Sequence, residues 1–400
     1  MSQLNERQNQ ASSSHIYYDV CVSNLQSTTI SPKIFQYNDT RTVPFIKNPE
    51  DYVMSIVRFT LDTNSLPVFI PQIQTDQADR DLTIYSITLA YNGYEKQVFV
   101  DWNPQLVTAP LAPPPSQTVN KQQCNQDGYY NCYSYSWFIE RVYQAFVVAF
   151  EDLVANAGVP PPPVVQGDVG TFPPVLSWDA TTNSATLFAD SEWYAVNDVY
   201  GNGVIEIFMN APLFALFSTF PATFRGYEGV TNGKNYKLPL VDIGGTNCTQ
   251  IIPPGQQVPV APNSYLSWRA ITWTQEQSTI ANWSAILSIV FTSNTLPIDP
   301  AQNSTPLVFS NGLQVSLGGN NSDLANVITD IVSVDGNYRP NLVYNPSAEY
   351  RRIALKGNRP LYNLDINIFY KLRTGELVPF RLLSNESMTM KILFEKKENK

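Results

Sequence analysis

Residues 363–397 read NLDINIFYKLRTGELVPFRLLSNESMTMKILFEKK. Leu364, Ile366, Ile368 and Tyr370 fall on every second position, with Asp365, Asn367 and Lys371 on the opposite face. A period of two is the mark of a strand with one buried face. Gly375 breaks the pattern and Pro379-Phe380 opens a return strand. Met388, Met390, Ile392 and Phe394 then alternate with Thr389, Lys391 and Glu395. Phe369 and Leu393 depart from the alternation, an aromatic and a leucine set among charges on the polar faces. Both strands thus bury one side in a core, and the other side, with its aromatic or leucine, is the one that contacts with other subunits would use.

The same end of the chain is basic. Residues 351–400 contain 11 Lys and Arg against 5 Asp and Glu, in a chain of net charge −9. Such asymmetry suggests that the two ends face different surroundings. One reading is solubilising charge on strand edges. The functional reading is a surface turned towards acidic neighbours or packaged nucleic acid. On that reading Arg351, Arg352, Phe369, Arg381, Lys391 and Leu393 are candidate assembly contacts. The acidic balance of the whole argues against specific nucleic-acid recognition.

Outward from this stretch the chain reads as mainly β. Charged residues are only 15%, against roughly 25% in an average domain. The surface must therefore be Asn, Gln, Ser, Thr and Tyr, or be hidden against partners. With 22 Tyr, 20 Phe and 30 Pro, the composition suits short strands joined by proline-containing turns. Residues 1–14 read as a disordered polar arm with no secretory apolar core. Strand patterns begin at HIYYDVCVSNL and continue through TVPFI and DYVMSIVRFTLDT. A hairpin is expected around Asn92-Gly93, a pair favoured in two-residue turns.

Five prolines in residues 103–123 make a stiff loop. A helix is expected over Ser136–Gly158, since Phe138, Val142, Ala145, Ala149 and Leu153 recur at helical spacing. Ser136 would cap it, and Gly158 followed by prolines would stop it. Ile139, Tyr143, Phe146, Val147 and Phe150 leave it apolar around much of its circumference, as in a buried helix. Glu151 and Asp152 read as exposed polar breaks. Hairpins follow in VLSWDATTNSATLFA and WYAVNDVYGNGVIEIFMN, the second around Gly201-Asn202-Gly203, then a short helix in APLFALFSTFP. Strands resume at SYLSWRAITWTQ and AILSIVFTS.

One internal echo pairs SIVRFTLDTNSLPVFIP at 55–71 with SIVFTSNTLPIDP at 288–300. A duplicated sheet corner would explain it, and so would chance likeness between strands with the same turn chemistry. The architecture this implies is a single jelly-roll sandwich built from residues 15–104 and 270–398. Its interruption, residues 105–269, is a β-rich insertion domain carrying the one long helix.

Little in the sequence points to catalysis, a cofactor or a metal. The chain has one histidine, His15, which reads as a strand-start residue; a catalytic triad or a histidine-rich metal site would have to use it. Cys21, Cys124, Cys132 and Cys248 form no C-x-x-C pair, and free thiols are expected, although Cys124 and Cys132 could pair across a loop. The sequon at Asn282 is expected to stay unmodified. Asp190, Glu192 and Asp198 lie near Trp193 and Tyr194, a composition that glycosidases and sugar-binding modules also use; a solvated acidic loop is the simpler reading. GGTNC at 244–248 and GGNNSD at 318–323 lack phosphate-loop spacing and read as turns. No apolar run approaches the length of a membrane span.

The C-terminal pattern resembles that of the penton (minor capsid) proteins of virophages and related Polinton-like double-stranded DNA viruses. The resemblance rests on the strand Leu364 to Tyr370, Gly375, Pro379-Phe380 and the final Lys391 to Lys397, with looser likeness in the opening strands to Thr63. It implies a single jelly roll with an inserted outer domain, five copies of which form an icosahedral capsid vertex in the virion. The partners implied are further copies of the chain and the major capsid protein. The family has no catalytic residues to carry over. The alternative is a carbohydrate- or receptor-binding β-module that engages a host receptor or glycan through Trp193, Tyr194 and the Gly/Asn-rich loops of the insertion. A glycosidase ranks below it.

Overall fold

The computed structural model describes residues 14–24, 33–74, 81–105, 128–165, 168–197, 201, 203–226, 233–262, 264–299, 301–302, 306–308, 314–316, 324–332, 341–345, 351–373, 375 and 377–397. Residues 1–13, Cys124, Asp198, Asn202 and the 318–323 turn therefore lie outside the described residues. The chain divides into two compact units, Met1–Leu66 with Ala285–Lys400, and Pro67–Ser284.

The split unit holds two five-stranded antiparallel sheets. In the first, His15–Ser23 pairs with Ser387–Lys396, which pairs with Tyr52–Asp62. Asn341–Tyr344 and Ile353–Ala354 share the far edge of Tyr52–Asp62. In the second, Val327–Ile331, Ile286–Thr292 and Asn363–Leu372 lie in that order. Gln36–Thr40 and Leu377–Pro379 pair along the outer edge of Asn363–Leu372. The two patterned strands of residues 363–397 thus belong to different sheets. Asn363–Leu372 turns at Gly375 into its short return strand, and the chain then crosses to place Ser387–Lys396 beside the first strand.

The alternation read from the sequence appears as burial. Leu364, Ile366, Ile368, Tyr370, Met388, Met390, Ile392 and Phe394 are all buried. Tyr52–Asp62 shows how a strand keeps one face inward across an irregularity. Met54 and Ile56 are buried, then Phe59 and Leu61. The pairing jumps from Ile56 opposite Ile392 to Arg58 opposite Lys391. Val57 is the extra residue of a β-bulge, and it shifts the inward set by one position. Phe59 then meets Phe291 of the second sheet with ring centroids 4.9 Å apart, and Tyr344 stacks on it at 5.3 Å.

The unit Pro67–Ser284 has its own core. Leu82–Tyr91 and Tyr94–Asp101 form the expected hairpin, with Asn92 and Gly93 both at positive φ (50° and 81°). Two left-handed residues in succession make the turn whose twist matches a hairpin. These strands were expected in the split domain, but Leu82–Tyr91 pairs with Glu206–Met209 inside this unit. Trp268–Thr274, also expected there, pairs with Ser184–Asp190 and Cys248–Ile251. Strand patterning reports burial and not which sheet supplies the cover, so it placed both boundaries wrongly.

The long helix runs Tyr135–Asn156. Its N-cap is Ser134, extended and making no side-chain cap bond, where Ser136 was expected. The ladder starts earlier because the Ser134 carbonyl already accepts from Trp137 N–H. The stop is as read: Ala157 N–H donates to Leu153 O, and Gly158 follows at φ +76°. Phe138, Ile139, Val142, Tyr143, Phe146, Ala149, Phe150 and Leu153 are buried. Asp152 is no solvated break. Tyr94 Oη donates to it at 2.6 Å and Lys96 Nζ at 2.9 Å, so the first hairpin holds the last turn of the helix. VLSWDATTNSATLFA is the expected hairpin, Val175–Asp179 with Ser184–Asp190. WYAV, by contrast, begins no strand. Ser191–Tyr194 is a helical turn capped by Asp190, whose carboxylate accepts from Glu192 N–H. Ala211–Leu216 is the expected short helix, capped by Asn210.

The internal echo is a pair of like corners in the split unit. Thr63-Asn64-Ser65-Leu66-Pro67 and Ser293-Asn294-Thr295-Leu296-Pro297 follow strands of different sheets. Leu66 and Leu296 are both buried. Leu66 N–H closes its turn on Thr63 O, and Leu296 N–H closes its own on Ser293 Oγ. Each corner also meets a buried carboxylate, Glu386 at the first and Asp365 at the second.

Candidate functional site

The six candidate contacts do not form one surface. Lys391 and Leu393 lie on the outer face of the first sheet, opposite Asp19 and Tyr17 in register. Lys391 Nζ is 3.7 Å from Asp19 Oδ1 and 5.2 Å from the centre of the Tyr17 ring. Arg352 joins this face through Glu395 at 3.1 Å, and the other Glu395 oxygen is 3.4 Å from His15 Nε2. Arg351 turns to the second sheet and pairs with Asp330 at 2.7 Å. Phe369 also lies on the second sheet, half-buried between Val290 and Pro379 in register. Arg381 sits on a separate two-stranded ribbon opposite Ile34.

The basic end is thus partly neutralised within its own unit, at four of its eleven bases. Arg351, Arg352, Lys356 and Lys391 have acidic partners in Asp330, Glu395, Asp299 and Asp19. Exposed pairs of this kind contribute little stability each. They do reduce the positive field that the sequence tally suggests, since Asp330, Asp299 and Asp19 come from outside residues 351–400. Exposed apolar side chains mark the outer face of the first sheet instead, with Tyr17 57% exposed and Val343 64%. Sequence reasoning found the strand HIYYDVCVS but not these contacts, since register across strands far apart in the chain decides which residue meets Lys391.

The residues proposed for sugar binding are core residues. Trp193 and Tyr194 are buried, Tyr194 Oη donates to Phe172 O at 3.0 Å, and the Trp193 ring packs near Tyr91. They offer no platform to a ligand. Asp190 is 4% exposed and accepts from Thr171 Oγ1 at 2.8 Å and Glu192 N–H at 3.0 Å. Burial pushes its carboxyl up to about 6 against the pull of those two donors. A raised carboxyl stabilises the fold below the unfolded value near 4, and that contribution is lost as pH rises through about 6. Asp190→Asn keeps an acceptor for Glu192 N–H and gives Thr171 a donor. It is expected to stabilise Pro67–Ser284 at pH 7.5 by up to about 3 kcal/mol and to flatten the loss between pH 4 and 7. Urea midpoints at pH 5 and 7.5 test this, and equal midpoints for wild type and variant at pH 7.5 would refute it.

Cys21, Cys132 and Cys248 are free. Cys132 is buried and donates to Ser134 O at 3.0 Å. Burial raises the Cys248 thiol, as does Asp242 beside it. No three His, Cys, Asp or Glu side chains converge as metal ligands among the described residues. Nor is any described helix long and apolar enough to cross a membrane.

A family model described as Sputnik minor capsid protein V18/19 matches residues 16–396. Protein V18 of Sputnik virophage is 35% identical over 150 residues, 37% of this chain and 89% of that protein. Structural protein V19 of Sputnik virophage is 25% identical over 226 residues, 55% of this chain and 93% of that protein. A chain of the 3.5 Å cryo-EM structure of Sputnik virophage matches 96% of this chain and 98% of its own length, at TM-score 0.71 and 26% identity. The crystal structure of the mavirus penton protein is matched over 96% of this chain and 100% of that one, at TM-score 0.57 and 14% identity, which is a likeness of fold. The chain belongs to the Sputnik minor capsid protein V18/19 family and is a structural protein of the virion capsid.

Proposed function

We propose that the chain closes the five-fold vertices of an icosahedral capsid as a homopentamer, flanked by the major capsid protein. On this reading the split unit is a single jelly roll, and Pro67–Ser284 is a domain inserted into it. The observation that carries the reading is the match in fold to the mavirus penton protein over the whole of that chain. Two antiparallel sheets packed through Phe59 and Phe291, with the first and last strands adjacent, are consistent with it. So is the low charge content. Each subunit of a ring has two lateral neighbours, and lasting interfaces commonly bury more than roughly 2,000 Å² in total.

Native mass spectrometry of the purified protein is expected to give an assembly of five chains, and virion protein analysis to find the chain in particles. A strict monomer at high concentration, absent from particles, would end the proposal. A paired substitution, Arg381→Glu with Lys391→Glu, tests the candidate contacts. The second change sets a carboxylate opposite Asp19 at a cost of at most about 1 kcal/mol, because the pair is exposed. The variant is expected to fold and to weaken assembly on the order of ten-fold, about 1.4 kcal/mol. Unchanged assembly would leave these two charges with only a solubilising role.

A further inference from the structure

We propose that Glu386 is a proton-operated latch on the corner through which the chain leaves the split unit. The two corners of the internal echo differ in how their carboxylates are held. Asp365 accepts from Ser293 Oγ, Asn294 N–H, Thr295 N–H and Oγ1, and Asn367 Nδ2. Glu386 is more deeply buried, at 4% exposed. Its Oε2 accepts from Leu383 N–H at 2.6 Å, closing the turn Leu383–Glu386. Its Oε1 accepts no hydrogen bond from any described residue. A buried carboxylate oxygen without a donor is costly to ionise and cheap to protonate.

The surroundings favour the proton as well. Asp62, on the neighbouring strand, is the charged group that faces Glu386. Asp62 is held in place by Ser387 N–H at 2.8 Å and Asn341 Nδ2 at 2.8 Å. The other neighbours, Asn24, Asn64 and Leu383, are neutral, and the Asn64 side chain and N–H add hydrogen bonds to the carboxyl beside that of Leu383. Lys33 and Arg381 lie on the ribbon leading into the turn, and Arg58 and Lys391 are paired further along Tyr52–Asp62 and Ser387–Lys396. Burial first, and Asp62 after it, raise the Glu386 carboxyl above its usual range, against the pull of Leu383 and Asn64.

A raised carboxyl gives stability that is complete below the unfolded value near 4.3 and lost as pH rises through the folded one. The corner therefore tightens in mild acid and loosens towards neutrality. Asn64 and Ser65 immediately precede Leu66, the last residue before Pro67–Ser284. The latch thus acts on the strand end at that exit and on the start of Ser387–Lys396.

Hydrogen exchange of the full chain, corrected for intrinsic rates, tests this between pH 4.5 and 7.5. In the wild type, protection of residues 60–66 and 383–388 is expected to rise as pH falls, by up to about ten-fold per pH unit for one linked proton. Residues 363–372, around Asp365, should show no such rise. Glu386→Gln is expected to hold high protection at all pH values, and Asp62→Asn to move the wild-type transition to lower pH. Flat protection in the wild type, a pH response retained by Glu386→Gln, or an unmoved transition in Asp62→Asn would each overturn the latch. The wild-type and Asp62→Asn arms decide the matter even if Glu386→Gln does not fold.

Discussion

Asp365→Ala is expected to lower the stability of the split unit by about 3–5 kcal/mol, and its melting temperature by about 10 °C. The carboxylate lies on the nominally polar face of Asn363–Leu372 yet is only 7% exposed. It organises the corner that ends Ile286–Thr292, with bonds of 2.6 Å from Ser293 Oγ, 2.9 Å from Asn294 N–H and 2.9 Å from Thr295 N–H. Removing it leaves several donors without an acceptor, and hydrogen bonds to a charged group are worth about 1.5–3 kcal/mol each before non-additivity. Burial alone would raise its carboxyl, but the hydroxyls of Ser293 and Thr295 and the two N–H groups outweigh burial and hold it below the usual range. The sign is opposite to that of Glu386: this stability is present above the ordinary carboxylate value and is lost as pH falls through the folded one. Asp365→Asn should lie between wild type and Ala, because an amide NH₂ in place of Oδ2 would face the donors Asn294 N–H and Asn367 Nδ2. The measurement has a built-in control. All seven tryptophans lie between Trp102 and Trp283, within Pro67–Ser284. Far-UV circular dichroism should record the lost stability, while the tryptophan fluorescence transition stays close to wild type. A circular dichroism transition within 2 °C of wild type would show that the corner does not depend on Asp365.

Much of the fold was legible where one physical rule governed one segment. Period-two burial marked Asn363–Leu372 and Ser387–Lys396, Asn92-Gly93 marked a hairpin, and Gly158 marked the helix end. The family resemblance came from the same patterned strands and agrees with the family match. Legibility failed where a residue's role is set by a partner remote in sequence. Asp365 alternates like a solvent-facing residue and becomes a buried acceptor because residues 293–295 arrive beside it. Trp193 and Tyr194 sit in a polar, acidic segment and look exposed, until the Asp190 cap turns them inward. Lys391 looked like free positive charge, and its register partner Asp19 stands at the other end of the chain. The domain boundaries failed for the same reason, since Leu82–Tyr91 carries no mark of the sheet it joins.

Trp283→Ala is expected to destabilise Pro67–Ser284 by about 3–5 kcal/mol, again close to 10 °C in melting temperature. In sequence Trp283 is merely the middle of the sequon Asn282-Trp283-Ser284. In the fold it is buried and gathers rings from across the unit: Phe69 at 5.3 Å, Tyr135 at 5.6 Å, Phe138 at 5.5 Å, Trp178 at 6.1 Å and Phe217 at 5.3 Å. Most of these contacts are edge-on, the geometry that ring quadrupoles favour. Its Nε1–H donates to Leu216 O at 2.8 Å. That carbonyl also accepts from Thr279 Oγ1 at 2.6 Å, so truncation does not orphan it. The loss is therefore mainly one of volume and ring contact, and a close-packed interior cannot shrink to recover it. Trp283→Phe keeps a ring in the cluster and should recover more than half of the loss. The fluorescence transition of the six remaining tryptophans measures the effect, with Trp283→Phe supplying the matched baseline. The Ala and Phe variants melting together would mean that ring contacts at Trp283 carry no stability, and that the aromatic cluster is held by its other members.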